Sequence, residues 1–281
     1  MRKQSAVAIH TTAVFEGTPL ASGTSFIYEL DGPWLITAWH MVTGRDNTSG
    51  RPLAEHGGSP DRLILRYPLF VSSDPATGQF QYDWVYREVP LYVDASYEEP
   101  LFRWHPRHRQ AVDVVAIPSP LEPDDASLPI GLFSIDGGLG SERLRMEVSM
   151  DAFVLGYPRN LSGHDGQVIW KRASIASNPE SHELNPDLLP CYYIDTATRQ
   201  GMSGGPVVVR SNGFLTEDRF VPGRGTPRPV IGTIDSFAGL YSGRIMGEDE
   251  MAAQLGIVWT ELAITEVIRG GVLADSPFWP A

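Results

Sequence analysis

The sequence predicts a mostly β fold with a helix near the C-terminus. Its 28 glycines and 23 prolines among 281 residues are scattered between short apolar runs. That pattern is typical of short strands joined by turns. The runs are rich in Val, Ile, Tyr, Trp and Thr, which strands prefer, whereas helical periodicity is sparse.

Each candidate strand is an apolar run that ends at turn residues. In chain order the candidates are Ser5–Phe15, Gly23–Tyr28, Pro33–Thr37, Arg62–Phe70, Val112–Ile117, Met150–Leu155, Gln167–Ile175, Tyr192–Asp195, Pro206–Val209, Pro229–Ile234 and Gly256–Trp259. The best helix candidates are Gly247–Gln254 and Glu261–Ile268, and Gly270 and Gly271 end the second one. Thr43–Gly58 and Arg210–Arg228 are predicted to be long surface loops.

A proline-rich, acidic segment divides the chain into two halves. Pro118, Pro120, Pro123 and Pro129 lie close together among carboxylates. Proline fixes φ and lacks an N–H donor, so this segment is predicted to be a linker. We expect one domain over residues 1–125 and a second over residues 126–281.

Composition limits the partners that the chain can take. Its net charge of −12 disfavours nucleic acid and anionic membranes as main partners. No apolar run is long enough for a signal peptide or a membrane-spanning helix. The single cysteine, Cys191, favours a reducing, cytoplasmic location and is interpreted as a small packing residue.

The segment Gly201-Met202-Ser203-Gly204-Gly205-Pro206 holds the candidate nucleophile. A serine hydroxyl needs a base and oxyanion donors, and flanking glycines let backbone N–H groups turn inward. A plain Gly-rich turn is the alternative. The Gly-x-Ser-x-Gly pattern also fits the nucleophile elbow of α/β-hydrolases, but no histidine follows Ser203, which excludes that order.

His40 and Asp113 are the candidate base and orienting acid. His40 is expected at the end of the apolar strand that begins at Pro33, where a purely structural histidine is the alternative. Asp113 lies within the apolar run Val112–Ile117, where burial requires a partner; an edge-strand aspartate facing water is the alternative. Because any base must precede Ser203, the possible orders are His–Asp–Ser and Asp–His–Ser, and these two candidates have the first.

Three segments together resemble the signatures of chymotrypsin-like (trypsin-fold) serine peptidases, in the family's order. They are Thr37–His40, Val112–Ala116 and Gly201–Pro206, and Ser22–Ile27, Gly156–Pro158 and Ile194–Ala197 are similar to further segments of bacterial members. The resemblance covers about residues 5–270. It implies an all-β fold of two six-stranded antiparallel β-barrels of the chymotrypsin type with a C-terminal helix.

The resemblance also implies roles for individual residues. His40 would be the general base, Asp113 its orienter and Ser203 the nucleophile, with the amides of Gly201 and Ser203 as the oxyanion hole. Two features depart from the family. Met202 replaces the aspartate that pairs with a new N-terminus in digestive members, and an aromatic-rich insertion, roughly Gln79–His108, has no assigned role.

Specificity follows from the same resemblance. Ala197 would form the base of the primary pocket, and Ser236 and Ala238 would line its wall, which predicts a neutral or apolar preference. Asp235, beside that strand, would be able to modify it. His105 and His108 are interpreted as part of a solvated basic loop, and no metal or cofactor is expected.

Three functions fit these residues. The first is a serine endopeptidase that acts on protein or peptide substrates through an acyl-enzyme. The second is a catalytically latent binding or regulatory module, a pseudoprotease, of the same fold. The third is a hydrolase of small esters, which cleavage of a protein substrate would distinguish from the first.

Overall fold

The computed structural model describes residues 5–54, 57–74, 76, 79–119, 135, 143–185, 187–221, 229–244 and 254–278. The predicted mostly β class is confirmed. The strands are β1 (Ala8–Phe15), β2 (Thr18–Glu29), β3 (Pro33–Thr37), β4 (Arg62–Asp74), β5 (Gln79–Pro90), β6 (Arg103–Trp104), β7 (Val115–Pro118), β8 (Asp151–Gly156), β9 (Ile169–Ile175), β10 (Cys191–Asp195), β11 (Gly205–Leu215), β12 (Val230–Arg244), β13 (Leu255–Trp259) and β14 (Val272–Leu273). The helices are α1 (Trp39–Thr43), α2 (Ser181–Leu184) and α3 (Glu261–Gly270), with 3₁₀ turns at Pro158–Asn160, His164–Gly166 and Glu217–Arg219.

The strands form two antiparallel sheets. The second is a closed six-stranded barrel in the order β10-β13-β12-β11-β8-β9, as predicted for the C-terminal half. The first has eight strands, in the order β14-β6-β7-β3-β2-β1-β4-β5, rather than the six expected. The additional strands include β6 and β14, which the sequence does not predict because each has only two residues. The predicted domain boundary at residues 125 and 126 lies outside the described residues and stays a prediction.

One buried hydrophobic cluster joins the two sheets, and a second lies in the barrel half. Phe26 of β2 meets Phe237 of β12 edge to face, with ring centroids 5.5 Å apart, and both side chains are buried. The end of β3 and helix α1 belong to the same buried cluster as Val208 and Leu240 of the barrel, and the candidate site lies beside them. Burying this apolar surface is the main force that holds the halves together.

Helix α3 confirms the helix predicted over Glu261–Ile268 and extends it to Gly270. The Thr260 side chain accepts a hydrogen bond from the Ala263 N–H and so caps the N-terminus. The helix buries one face, formed by Ala263, Ile264, Val267 and Ile268. Of the apolar residues that predicted the helix, Ile264, Val267 and Ile268 are buried, whereas Leu262 is exposed.

Several other predictions differ from the structure. The Arg210–Leu215 part of the predicted surface loop continues strand β11, because it pairs with β12 throughout. Gln79–Pro90, part of the unexplained insertion, is strand β5, paired along the length of β4. The helix predicted from Gly247, and the linker from Pro120 onward, lie outside the described residues.

The segment after α3 returns to the first sheet. Strand β14 pairs with β6, and Phe278 stacks on Tyr97 with ring centroids 4.6 Å apart. The Pro277 carbonyl accepts a hydrogen bond of 2.7 Å from Arg45, which follows α1 closely. The C-terminal segment thus fastens the sheet that carries α1. Within the described residues, we find no helix of the length and apolarity that crossing a membrane requires.

Candidate active site

His40 lies in the short helix α1, directly after β3, and not at the end of a strand as predicted. The helix has only five residues, too few to leave a periodic pattern in the sequence. Three residues of the helix, Trp39, Met41 and Val42, are buried and anchor it to the core. The His40 side chain keeps 18% of its surface exposed, so the imidazole reaches solvent.

Asp113 lies just before β7, and its side chain is only 1% exposed. The water-facing alternative is therefore excluded. Its Oδ2 accepts hydrogen bonds from His40 Nδ1 at 2.7 Å and from Ser242 Oγ at 2.6 Å. Its Oδ1 accepts the His40 backbone N–H at 2.9 Å. These donors compensate the buried carboxylate and fix the orientation of the ring.

Ionisation of the pair follows from burial and charge. Burial acts to lower the pKa of His40, but the charge and hydrogen bond of Asp113 outweigh it, and the net pKa is raised. Burial acts to raise the pKa of Asp113, but His40 and the Ser242 hydrogen bond outweigh it, and the net pKa is lowered. At neutral pH Asp113 is therefore a carboxylate that holds the Nδ1 proton of His40.

The raised pKa of His40 predicts the pH dependence of any reaction that uses it as a base. Only the neutral imidazole accepts a proton, so we expect kcat/KM to fall on the acid side with an apparent pKa above 6.5, the ordinary value. The protonated form stabilises the fold below pH 6.5, and that contribution is lost as pH rises through the folded-state pKa. A pH–rate profile with its acid limb at or below 6.5 would contradict this.

The Ser203 loop is held between the two sheets. The Ser203 carbonyl accepts the Thr24 N–H at 2.8 Å, and the Gly201 carbonyl accepts the Thr24 hydroxyl at 2.9 Å. From the barrel side, the Gly204 N–H donates to the Tyr241 carbonyl at 2.8 Å. Met202 is fully buried, so the side chain before the serine is a packing residue here.

The peptide between Gln200 and Gly201 has a fixed orientation. The Gln200 carbonyl accepts the Arg159 N–H at 2.7 Å. In a trans peptide the C=O and N–H point in opposite directions, so the Gly201 N–H faces away from Arg159. Gly201 has φ +93°, and a Cβ there would collide with the Tyr157 carbonyl oxygen. Only glycine fits this position.

His40, Gly201 and Ser203 line one cavity of about 590 Å³. Among the described residues, the His40 side chain forms a hydrogen bond with Asp113 and none with Ser203. The structure thus brings the three predicted triad residues to one place, with the acid–base pair formed. Catalytic hydrogen bonds often tighten only when substrate binds.

The predicted pocket residues are not brought to this cavity. Ser236 is buried beside Val209, where its Oγ accepts the Leu144 N–H at 3.1 Å. Ala238 is buried, and its carbonyl accepts the Tyr192 hydroxyl at 3.1 Å. Ala197 is half-buried and also outside the cavity lining. The structure therefore gives no support to Ser236 and Ala238 as walls beside Ser203.

Ser242, on the same strand β12, is the site residue that the sequence reasoning missed. Ser242 is 5% exposed, and its hydroxyl donates a hydrogen bond to Asp113. The available signal was weak: a serine followed by glycine near the end of an apolar run. Ser242 completes the set of donors around the buried carboxylate.

Two other candidates are not part of this site. His105 is buried, not solvated as predicted, and its Nε2 lies 2.9 Å from Glu266 Oε2. Burial raises the pKa of the Cys191 thiol to about 11, which disfavours the thiolate. Among the described residues, no group of three or more His, Cys, Asp or Glu is arranged to hold a metal ion.

No protein-family model and no curated protein matches the chain. Solved protease structures do resemble it. They include the HtrA-type protease AlgW with tripeptide (TM-score 0.48, 12% identity, 95% of this chain and 60% of that chain). A variant of AlgW with tripeptide gives a TM-score of 0.46 at 12% identity and the same coverage. The inactive form of the Rv3671c protease gives 0.41 at 15% identity, over 95% of this chain and 89% of that one.

The chain spans 60% of the length of the AlgW chains. At such identities the likeness concerns the fold alone, and the chemistry has to be argued from the residues of this chain.

Proposed function

We propose that this mostly β chain, which contains a closed six-stranded barrel, is a serine endopeptidase of the chymotrypsin-like fold. The observation that carries the proposal is that His40, hydrogen-bonded to the buried Asp113, lines the same cavity as Ser203 and Gly201. A histidine oriented by a buried carboxylate beside a serine on a Gly-rich loop is the arrangement that activates a hydroxyl.

In the proposed mechanism, His40 Nε2 takes the proton of Ser203 as Oγ attacks the scissile carbonyl. Asp113 keeps the Nδ1 proton in place and stabilises the imidazolium that forms. The amides of Gly201 and Ser203 stabilise the oxyanion. The orientation of the Gly201 N–H away from Arg159 supports that role. His40 then protonates the leaving amine, and water hydrolyses the acyl-enzyme by the same steps in reverse.

The cavity lining supports a substrate that is uncharged near the scissile bond. Among the described residues, no Asp, Glu, Lys or Arg lines the cavity. Its apolar side chains include Leu20, Met41 and Leu53. This agrees with the neutral or apolar preference inferred from Ala197, which remains the proposed pocket base.

Cys191 is a free thiol. Because a single free cysteine suits a reducing compartment, the proposed location is cytoplasmic.

The test is labelling of the wild-type chain by a fluorophosphonate probe, read by intact mass, followed by digestion of an unfolded protein substrate. We expect one probe molecule per chain and cleavage of the protein. Labelling without protein cleavage would indicate a hydrolase of small esters. A folded chain that takes no label would overturn the proposal and leave a latent or binding protein.

A further inference from the structure

The β4–β5 hairpin of the first sheet reaches across to the barrel. Trp84 Nε1 donates to the Asp165 carbonyl at 2.7 Å, and Arg66 Nη2 donates to the Gly166 carbonyl at 3.2 Å. Both acceptors are backbone groups of the loop between β8 and β9. The hairpin therefore fixes the main chain of this loop, whatever its side chains are.

The contact is closely packed. The Arg66 guanidinium lies between two rings, 4.7 Å from the centroid of Trp84 and 5.4 Å from that of Tyr157. Cations on aromatic faces are attracted by the ring quadrupole. Gly166 has φ +77°, and a Cβ there would lie 3.0 Å from Trp84 Nε1, so the close approach of Trp84 requires glycine.

Tyr157 connects this contact to the Ser203 loop. It begins the turn over residues 157–161, in which Arg159 and Asn160 have φ of +52° and +60°. Such values are uncommon outside glycine and persist only where the surroundings hold them. The same turn supplies the Arg159 N–H that binds the Gln200 carbonyl at 2.7 Å. Contacts thus run without interruption from Trp84 to the peptide that presents the Gly201 N–H.

We propose that the β4–β5 hairpin is a built-in positioning element for the oxyanion hole, with Trp84 and Arg66 as its positioning residues. By holding the turn over residues 157–161, they keep the Gly201 amide directed away from Arg159 without help from a second molecule. This inference rests on the proposed function and gives part of the aromatic insertion a role. Neither residue lines the cavity with Ser203, so neither is catalytic.

The first experiment compares Trp84→Ala and Arg66→Ala with the wild type. Loss of one oxyanion donor lowers kcat by about 10²–10³-fold, so partial misorientation should lower kcat and the fluorophosphonate labelling rate by about tenfold to a hundredfold. The acid limb set by His40 should not change, because the His40–Asp113 pair is untouched. Trp84→Phe keeps the ring and should fall between wild type and Trp84→Ala.

The matched control is Tyr86→Ala, on the same strand, where the residue pairs with Arg66 across the hairpin but its side chain is 70% exposed. It should behave like the wild type. Equal loss in Tyr86→Ala and Trp84→Ala, or folded Trp84 and Arg66 variants with wild-type rates, would overturn the proposal. If Trp84→Ala does not fold, Trp84→Phe and Arg66→Ala decide it.

Amide hydrogen exchange gives a readout that does not need activity. Exchange of the Arg159 N–H should be faster in Trp84→Ala than in wild type or Tyr86→Ala, because the turn that carries this N–H is no longer held in place. Unchanged exchange would overturn the positioning role. Failure of the wild type to take the probe, with faster exchange in Trp84→Ala, would overturn the endopeptidase proposal alone.

Discussion

Replacing Ser203 with alanine should lower kcat for peptide hydrolysis by about 10⁶-fold and abolish fluorophosphonate labelling. The variant has no hydroxyl to form the acyl-enzyme, and the remaining donors only bind the substrate and its oxyanion. The loop should keep its shape, since the hydrogen bonds at residues 201, 203 and 204 involve backbone groups or Thr24. The measurements are turnover of an internally quenched peptide and intact mass after labelling.

Ser211→Ala is the matched control for this experiment. Ser211 is half-buried on β11, the strand that follows the Ser203 loop, and it is paired with Ile234 away from the cavity. It should retain wild-type turnover and labelling. Turnover in Ser203→Ala comparable to the wild type would show that another group is the nucleophile.

Replacing Asp113 with asparagine should lower kcat by about 10⁴-fold. The amide cannot hold the Nδ1 proton as a carboxylate does, so His40 adopts the wrong tautomer for accepting the Ser203 proton. The acid limb of kcat/KM should also move to lower pH, because the Asp113 charge is what offsets burial in raising the pKa of His40. Both effects are read from a pH–rate profile.

Asp46→Asn is the control for charge alone. Asp46 also raises the pKa of His40, but it is the weaker of the two carboxylates and does not hydrogen-bond the ring in the described structure. Loss of the Asp46 charge should shift the acid limb of kcat/KM slightly to lower pH and leave kcat unchanged. An equal loss of kcat in both variants would contradict the orienting role of Asp113.

The triad candidates were accessible from sequence because each lies in a distinctive local setting. Asp113 interrupts an apolar run, and Ser203 lies among glycines that a strand follows. His40 lines the cavity, but its helix was missed because a five-residue helix has no periodicity. Ser242 escaped because it reaches Asp113 from 129 residues away, a contact that only tertiary packing creates.

Residues Ser236 and Ala238 show a second limit. Strand β12 runs from Val230 to Arg244, and sequence alone does not tell which part of so long a strand reaches the site. Pairing with β11 decides it: Tyr241 lies opposite Gly205, next to the Ser203 loop, whereas Ser236 lies opposite Val209. Register is thus a property of the assembled sheet.

The return of the C-terminal segment to the first sheet has a consequence for synthesis on the ribosome. Strand β6 receives its partner β14 only after the whole barrel has been made. The hydrogen bond from Arg45 to Pro277 and the stacking of Tyr97 on Phe278 likewise form only after that segment has been made. A nascent chain that has emerged only through β7 therefore carries an unpaired sheet edge and an uncovered aromatic cluster, surfaces that chaperones bind and that promote aggregation. Maturation of the His40–Asp113 half is thus coupled to synthesis of the segment that follows α3.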